Sequence, residues 1–366
     1  MKCDYCFYND ECENREVRSY GVMDEKTLDI LISRAFEYAK GFVSFSFQGG
    51  EPTLCGIEFF EKVIDIQTKY NKNKMPVYNS IQTNGQLINK EWADFLSKNK
   101  YAVGISLDGT KAAHDRYRKD KDGKGTWDEA VFAAELLINA KVDVNVLCVV
   151  TESVAKEPER VYNTLKKYKY LQFIPCYDPL DNTGSGGDLR KTPSLRKLTE
   201  GSSHGRGSYS LTANAYKTFL NKVFELYYKD YFSNHPVYIR AFDNYIGILQ
   251  GKAPEMCGNA GRCTCYGAIE ADGSVYPCDF YMTDKYRLGN VKENTFSEMF
   301  NSDTAKKFTA ESAALPDECY DCKYRRLCGG GCRRENRKYC SSYRGFFEKN
   351  YGKLAELAIK TAFPSV

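Results

Sequence analysis

The feature that most constrains the fold is a regular alternation of short apolar segments with longer helical segments in the first half of the chain. The short segments are rich in β-branched and aromatic residues, and the longer ones repeat apolar residues every three or four positions. The predicted strands are Phe42–Phe47, Val77–Ile81, Ala102–Leu107, Val144–Val150 and Leu171–Cys176. The predicted helices are Leu28–Ala39, which Asp24 can cap, Ile57–Tyr70, Lys90–Ser97, Trp127–Ala140 and Pro158–Tyr168. This order predicts an α/β fold whose parallel sheet is closed or partly closed by βαβ units.

Three glycine-containing segments follow predicted strands. They are Gln48-Gly49-Gly50-Glu51-Pro52, Gln82-Thr83-Asn84-Gly85 and Ser106-Leu107-Asp108-Gly109. In parallel barrels, catalytic residues gather at the carboxyl ends of the strands. We therefore expect the active site at this edge of the sheet.

Length and charge exclude several classes of protein. The chain has 366 residues, enough for a barrel-sized domain and a smaller one. A net charge of +4 without a long basic run argues against nucleic acid as the partner. No apolar run is long enough to span a bilayer and no signal peptide is visible at the start. We expect no membrane partner and a location in the cytoplasm.

The chain contains fifteen cysteines, which is unusual for a protein of this size. Clustered cysteines in a reducing cytoplasm more often bind metal or iron–sulfur clusters than form disulfides. Cys3 and Cys6 form a Cys-x-x-Cys pair near the start. Such a pair suits half of a zinc site, a redox pair or part of an iron–sulfur loop.

A second group of cysteines occupies the C-terminal third. Its members are Cys257, Cys263, Cys265, Cys278, Cys319, Cys322, Cys328, Cys332 and Cys340. Eight thiolates are the number needed for two four-iron clusters, and the glycines at 329–331 keep side chains away from such a core. Two zinc-ribbon sites are the alternative, because they also use paired Cys-x-x-Cys loops. The cysteines predicted to be small apolar residues are Cys12, Cys55, Cys148, Cys176 and Cys265.

The stretch from Asp181 to Ser210 interrupts the alternation. It is rich in Gly, Ser, Asp and Lys, which predicts a mobile loop or linker that serves as a lid or a substrate-facing insertion. A long helix is predicted over Leu211–Phe232. The segment Val237–Ile248 then leads into the cysteine-rich region.

Taken together, these motifs resemble the anaerobic sulfatase-maturating enzymes, which are radical S-adenosylmethionine (SAM) enzymes with a C-terminal SPASM cysteine domain. The resemblance extends from Cys3 to about Tyr343. It is carried by Cys-Asp-Tyr-Cys-Phe-Tyr, Phe-Gln-Gly-Gly-Glu-Pro-Thr, Gln-Thr-Asn-Gly, Ser-Leu-Asp-Gly, Leu-Gln-Phe-Ile, Val-Tyr-Pro-Cys-Asp-Phe-Tyr and Arg-Leu-Gly-Asn.

The resemblance implies a partial (β/α)6 barrel, similar to a TIM barrel, followed by a small SPASM domain. It places the barrel in residues 1–180, a flexible insertion with connecting helices in 181–250, the SPASM domain in 251–345 and a C-terminal helix in 346–366. The family's N-terminal loop is Cys-x3-Cys-x2-Cys. Its first cysteine would fall before Met1, and the first strand is also missing. We therefore expect an N-terminal truncation, with poor assembly of this cluster and impaired activity.

Three [4Fe-4S] clusters and SAM are the implied cofactors. Cys3 and Cys6 would hold the cluster that binds SAM. The ligands of the auxiliary clusters would be Cys257, Cys263, Cys278 and Cys332 for the first, and Cys319, Cys322, Cys328 and Cys340 for the second. SAM itself would be contacted by Tyr5, Gly49, Gly50, Glu51, Ser106, Arg118 and Tyr177. Asp279 would accept the proton of the substrate side chain, with Tyr8 and Gln48 lining the pocket.

Simpler roles are alternatives for several of these residues. The glycine pair can make a tight turn before Pro52, and Glu51 can be a solvated carboxylate in a first helical turn. Ser106, Asp108 and Asp279 can be ordinary turn residues. The charge-rich stretch 115–124, which contains Arg118, is typical of a solvated surface.

The implied reaction is oxidation of a Cys or Ser side chain in a sulfatase polypeptide to 3-oxoalanine (Cα-formylglycine), with 5′-deoxyadenosine and methionine as co-products. The implied partners are an unfolded or nascent sulfatase chain and a low-potential electron donor such as flavodoxin or ferredoxin, with the enzyme a monomer. One alternative is a SPASM enzyme that forms thioether or other crosslinks in a small ribosomal peptide. Another is an iron–sulfur protein that has lost SAM chemistry and serves in regulation or electron transfer.

Overall fold

The computed structural model describes residues 1–179, 209–233, 236–335 and 337–362, without the side chain of residue 2. Most of the predicted loop, from residue 181 to residue 208, lies outside the described residues.

Eleven strands and fifteen α-helices are found in the described residues. The strands are β1 (Lys2–Cys3), β2 (Val43–Phe47), β3 (Val77–Thr83), β4 (Ala102–Ser106), β5 (Arg118–Lys119), β6 (Asp143–Val150), β7 (Tyr170–Pro175), β8 (Tyr238–Ile239), β9 (Ala268–Ile269), β10 (Ser274–Tyr276) and β11 (Gly289–Asn290). The helices are α1 (Phe7–Glu13), α2 (Glu25–Tyr38), α3 (Ile57–Tyr70), α4 (Lys90–Lys98), α5 (Lys111–Tyr117), α6 (Trp127–Asn139), α7 (Glu152–Ala155), α8 (Pro158–Leu165), α9 (Ala213–Asp230), α10 (Arg240–Leu249), α11 (Phe296–Phe300), α12 (Asp303–Ala313), α13 (Asp317–Tyr320), α14 (Arg325–Cys328) and α15 (Cys340–Ala362).

The main sheet has six strands in the order β2-β3-β4-β6-β7-β8, and every neighbouring pair is parallel. Helices connect most successive strands, so the predicted α/β architecture is confirmed. All five predicted strands are present, and α3 has the predicted bounds. The sequence pattern does not predict the sixth strand, β8, because two residues are too few to show a period.

The two faces of the sheet differ in polarity because successive side chains on a strand point to opposite sides. The face toward the helices is fully buried and apolar, with Ile81, Val103, Ile105 and Val146 among its residues. Cys148 and Cys176 are buried as small apolar residues, as predicted. The opposite face lines a cavity with Ser46, Gln82, Ser106, Asn145 and Gln172. The barrel interior is therefore shaped to receive a polar ligand.

The C-terminal part packs onto the barrel through short elements. Strands β9, β10 and β11 form an antiparallel sheet in the order β11-β10-β9. Helix α15 packs against α9 and α10 through aromatic rings, including a stacked pair of Phe242 and Phe346 with centroids 5.4 Å apart. This helix begins at Cys340, six residues before the predicted start. None of the helices in the described ranges combines the length and the apolar character needed to cross a membrane.

Candidate active site

A cavity of 2730 Å³ opens at the carboxyl ends of the barrel strands. It brings together all the residues predicted to contact SAM or the substrate, which are Tyr5, Tyr8, Gln48, Gly49, Gly50, Glu51, Ser106, Arg118, Tyr177 and Asp279. Five of the predicted cluster ligands also line it, namely Cys3, Cys6, Cys257, Cys328 and Cys332. One cavity thus joins the barrel motifs to the cysteine-rich domain.

The Cys3–Cys6 loop is held against the barrel by strand pairing. Cys3 pairs with Arg118 across the antiparallel strands β1 and β5, and the Cys6 backbone N–H donates to the Cys3 carbonyl at 3.2 Å. The Arg118 guanidinium also lies 3.8 Å from the Cys3 sulfur. This turn presents both thiols at the cavity wall.

Arg118 is buried, so the solvated-surface alternative for this residue is wrong. Only 6% of Arg118 and 1% of Asp108 are exposed, and Arg118 Nε donates to Asp108 Oδ2 at 2.8 Å. The Val149 N–H donates to Asp108 Oδ1 at 2.8 Å, and the Tyr5 hydroxyl donates to Oδ2. Burial alone would raise the pKa of the Asp108 carboxyl, but the charge of Arg118 holds this pKa below its ordinary value. Asp108 is therefore an anchor for Arg118 and Tyr5, and more than a turn residue.

The glycine pair shapes the opposite wall. Gly49 and Gly50 have φ angles of +80° and +47°, which favour glycine, and a Cβ on Gly49 would lie 2.8 Å from the Tyr8 ring. Pro52 begins a short 3₁₀ helix that Glu51 caps. The Glu51 carboxylate accepts hydrogen bonds at 2.7 Å from the Thr83 hydroxyl and at 2.8 Å from the backbone N–H of residue 84. The hydrogen bonds of Glu51 in this structure thus go to other residues of the chain, and contact between Glu51 and SAM stays a prediction.

The predicted substrate-side residues also converge. Gln48 Nε2 donates to Asp279 Oδ2 at 3.1 Å. The Tyr8 hydroxyl donates to Glu270 Oε1 at 2.9 Å, and Glu270 forms a buried ion pair with Arg15. Asp279 therefore lies beside Gln48, while Tyr8 is tied to the hairpin of the cysteine-rich domain.

Several functional neighbours were not found by sequence reasoning. They are Arg15, Glu270 and Tyr266, whose hydroxyl donates to Asp279 Oδ1. No local pattern joins Arg15 to Glu270, which are 255 positions apart. Tyr266 reaches Asp279 through the hairpin of β9 and β10, where the Tyr266 N–H donates to the Pro277 carbonyl at 3.2 Å. A prediction of this hairpin was the one signal that could have pointed to Tyr266.

Tyr177 follows β7 at the far side of the cavity. Its ring makes an edge contact with Phe280 at a centroid distance of 5.0 Å, and the Arg334 guanidinium lies 5.8 Å from it. Arg334 also donates to the Asp178 carbonyl at 3.0 Å. These contacts fix the backbone around Tyr177, which is predicted to contact SAM.

The C-terminal thiols influence one another's pKa within two sets. Burial raises the pKa of the Cys332 thiol, and neighbouring groups that include Cys257 and Cys263 raise it further. Burial also raises the pKa of the Cys340 thiol, with Cys319 and Cys322 adding to the shift.

Backbone contacts show how the loops meet. A Cβ on Gly258 would lie 3.2 Å from the Cys332 nitrogen, and a Cβ on Gly329 would lie 2.4 Å from the carbonyl of Asn259. The absence of side chains lets the loop after Cys257 lie directly on the loop before Cys332. All fifteen cysteines are free thiols. Within the described ranges no three Cys, His, Asp or Glu side chains are already arranged to hold a metal ion. The assignment of these thiols to two clusters, each held by four cysteines, therefore stays a prediction.

Comparisons with known proteins identify the class. A sequence model of the radical SAM superfamily matches residues 1–165, and a SPASM iron–sulfur cluster-binding domain matches residues 257–323. The chain is a radical SAM enzyme with iron–sulfur clusters and SAM as cofactors. The zinc-ribbon alternative is set aside, whereas the predicted domain boundaries stay predictions.

Relatives identify the family. The chain is 42% identical to a cysteine-type anaerobic sulfatase-maturating enzyme of Clostridium novyi, over 99% of this chain and 95% of that protein. It is 30% identical to a serine-type enzyme of Bacteroides thetaiotaomicron, over 91% of this chain and 79% of that protein. The chain belongs to the anaerobic sulfatase-maturating enzymes, oxidoreductases that convert Cys or Ser to formylglycine.

Comparison with solved structures supports the same family assignment. The chain superposes with a TM-score of 0.87 and 42% identity on the structure described as native anSMEcpe with bound AdoMet and Cp18Cys peptide, over 99% of this chain and 96% of that one. Streptococcus suis SuiB superposes with a TM-score of 0.57 at 16% identity, covering 90% of this chain and 69% of that one, which shows a shared fold.

Replacing Asp108 tests the buried anchor. Asp108→Asn leaves the Arg118 charge without a full partner, and we expect a loss of about 3–5 kcal/mol in the free energy of unfolding. Asp128→Asn is the control, since Asp128 pairs with Lys111 on the surface, where the side chains are 76% and 54% exposed. That variant should lose less than about 1 kcal/mol in urea unfolding. Equal, small losses in both variants would contradict the anchor role.

A second prediction concerns Glu11 on α1, whose buried carboxylate oxygens have no hydrogen-bond partner. Burial raises the pKa of Glu11 from 4.5 to about 8, although Arg334 opposes the shift. Between these values the folded chain holds a proton that the unfolded chain has lost, so stability falls as pH rises.

We expect Glu11→Gln to flatten this pH dependence in urea unfolding across the window. The exposed Glu13 lies on the same helix, and Glu13→Gln should leave the slope as in the wild type. An unchanged slope in Glu11→Gln would show that this carboxyl does not titrate as expected.

Proposed function

We propose that this chain is a cysteine-type maturase, which oxidises a target cysteine of a sulfatase polypeptide to formylglycine. The observation that carries this choice is the 42% identity to cysteine-type relatives against 30% for a serine-type relative. The test is mass spectrometry of paired sulfatase-motif peptides, one with cysteine and one with serine, after anaerobic incubation with SAM and reductant. Faster conversion of the serine peptide would overturn the choice.

The proposed SAM site lies at the barrel end of the cavity. Cys3 and Cys6 would hold the SAM-binding cluster, and Tyr5, Gly49 and Gly50 would contact SAM nearby. Ser106 accepts a hydrogen bond from Gln82 Nε2 at 3.1 Å, which orients its hydroxyl within the barrel. Glu51, Ser106, Arg118 and Tyr177 would complete the site. When bound, the cofactors supply the radical that removes a β-hydrogen and accept the second electron.

The proposed proton acceptor is Asp279. Its carboxylate lies at the cavity wall one residue after Cys278, a proposed ligand of the first auxiliary cluster. Gln48 holds one carboxylate oxygen at 3.1 Å, and Tyr8 lines the same pocket. A base at this position can take the thiol proton of the substrate as the side chain is oxidised.

The remaining proposals concern partners and location. The substrate would be an unfolded or nascent sulfatase chain, as supported by the peptide bound to the related anSMEcpe structure. A low-potential donor such as flavodoxin or ferredoxin would supply electrons. We further propose that the enzyme is a monomer in the cytoplasm.

Asp279→Asn tests the proton acceptor. The amide cannot take the thiol proton, so we expect 5′-deoxyadenosine still to form while formylglycine formation falls about 100-fold or more. Both products are quantified from the same anaerobic reaction. Asp65→Asn, an exposed position on α3, is the control and should match the wild type. Normal formylglycine formation by Asp279→Asn would remove this residue from the mechanism.

Cys332→Ala tests the ligand assignment. Loss of one of four thiolates should release the first auxiliary cluster, so we expect about four fewer irons per chain after anaerobic reconstitution. Cys148→Ala is the matched control, because Cys148 is buried in the barrel and belongs to neither ligand set. Iron contents that do not differ between the two variants would refute the assignment.

A further inference from the structure

The Tyr266 hydroxyl contacts Asp279 twice. It donates to Asp279 Oδ1 and accepts the backbone N–H of Asp279 at 2.9 Å. The Tyr266 hydroxyl therefore bridges the carboxylate of Asp279 and the backbone N–H of the same residue. Asp279 Oδ2 lies on the other side and receives the Gln48 amide at 3.1 Å.

The hairpin explains why Tyr266 lies there. Ala268 pairs with Tyr276 in the antiparallel strands β9 and β10, and the Tyr266 N–H donates to the Pro277 carbonyl at 3.2 Å. Gly267 lies between Ala268 and Tyr266 and has a φ angle of +79°, so the strands leave their regular pairing at this point. The hydrogen bond to Pro277 holds Tyr266 beside the end of β10, next to Cys278 and Asp279.

The geometry distinguishes the two carboxylate oxygens. Oδ1 is held by the phenol, while Oδ2 has a single recorded donor, the Gln48 amide. An ionised carboxylate oxygen can accept two hydrogen bonds, so Oδ2 retains one free acceptor direction. The substrate thiol proton would move to Oδ2, and Tyr266 would keep its own proton.

Tyr266 is not a core residue. The side chain lines the cavity, and 52% of the residue is exposed. The hydroxyl carries one proton, which it donates to Asp279 Oδ1, and the Cys278 sulfur lies 3.3 Å from the same hydroxyl without receiving that proton. The contact that Tyr266 makes with Asp279 therefore depends on its hydroxyl rather than on packing of its ring.

We propose that Tyr266 is a positioning residue that pins Oδ1 of Asp279 and leaves Oδ2 to receive the substrate proton. This proposal rests on the proposed role of Asp279. Tyr266 acts through that carboxylate and needs no contact with the substrate.

The test uses the anaerobically reconstituted holoenzyme, with all three cysteines of the Cys-x3-Cys-x2-Cys loop present, and a cysteine-containing sulfatase-motif peptide. Tyr266→Phe removes only the hydroxyl, and Tyr266→Leu removes the ring as well. We expect both variants to lower kcat for formylglycine about tenfold, a fraction of the contribution of a general base. The ratio of 5′-deoxyadenosine to formylglycine should rise by the same factor. Peptide KM, iron content and cluster midpoint potentials should stay as in the wild type.

Tyr351→Phe, an exposed tyrosine on α15, is the control and should leave every readout unchanged. Wild-type kcat in Tyr266→Phe would overturn the proposal. So would a loss confined to Tyr266→Leu, which would indicate ring packing, or a loss accompanied by shifted potentials, which would indicate a role toward the cluster. Failure of the wild-type enzyme to convert the peptide would instead overturn the proposed function.

Discussion

The buried ion pair of Asp108 and Arg118 joins the parts of the site that are far apart in sequence. Asp108 follows β4, Arg118 begins β5 and pairs with Cys3, and Tyr5 donates to the same carboxylate. Two charges removed from water are tolerated only when their hydrogen-bonding groups are satisfied, and here the Val149 N–H supplies a further bond. The N-terminal cysteine loop therefore takes its position from a carboxylate about a hundred residues later.

A second buried pair ties the two domains together. Arg15 lies just after α1, and Glu270 follows β9 in the cysteine-rich part. Because Tyr8 also donates to Glu270, movement of the hairpin would displace a residue of the barrel pocket. The cysteine-rich part thus contributes to the shape of the cavity that Tyr8 lines.

Regular elements were predictable because their signals are local. The apolar runs at Val144–Val150 and the helical period at Ile57–Tyr70 each depend on neighbouring residues alone. The cavity residues were found because parallel strands bring their carboxyl ends to one edge. The assignment of cluster ligands comes from the family resemblance, which orders the cysteines, and stays a prediction.

What escaped prediction depends on contacts between distant segments. Arg118 lies in a charge-rich stretch, and nothing nearby reveals that Asp108 draws it into the interior. Tyr266 required the prediction of a hairpin whose strand β9 has two residues. Glu51 shows that a motif can also suggest too much. Its motif is typical of ligand contact, whereas its hydrogen bonds in the structure go to other residues of the chain.

The incomplete ring of the barrel has a consequence for how a long chain can be processed. In the described residues, the main sheet ends at β2 on one side and β8 on the other without these edges pairing. A complete ring would admit a ligand only through its rim, whereas here the cavity continues beyond the strands to residues of the cysteine-rich part, among them Tyr266, Ala268 and Phe300. A cavity of this extent has room for an internal stretch of an extended polypeptide. A residue far from either end of such a chain can then be modified without cleavage of the chain that carries it.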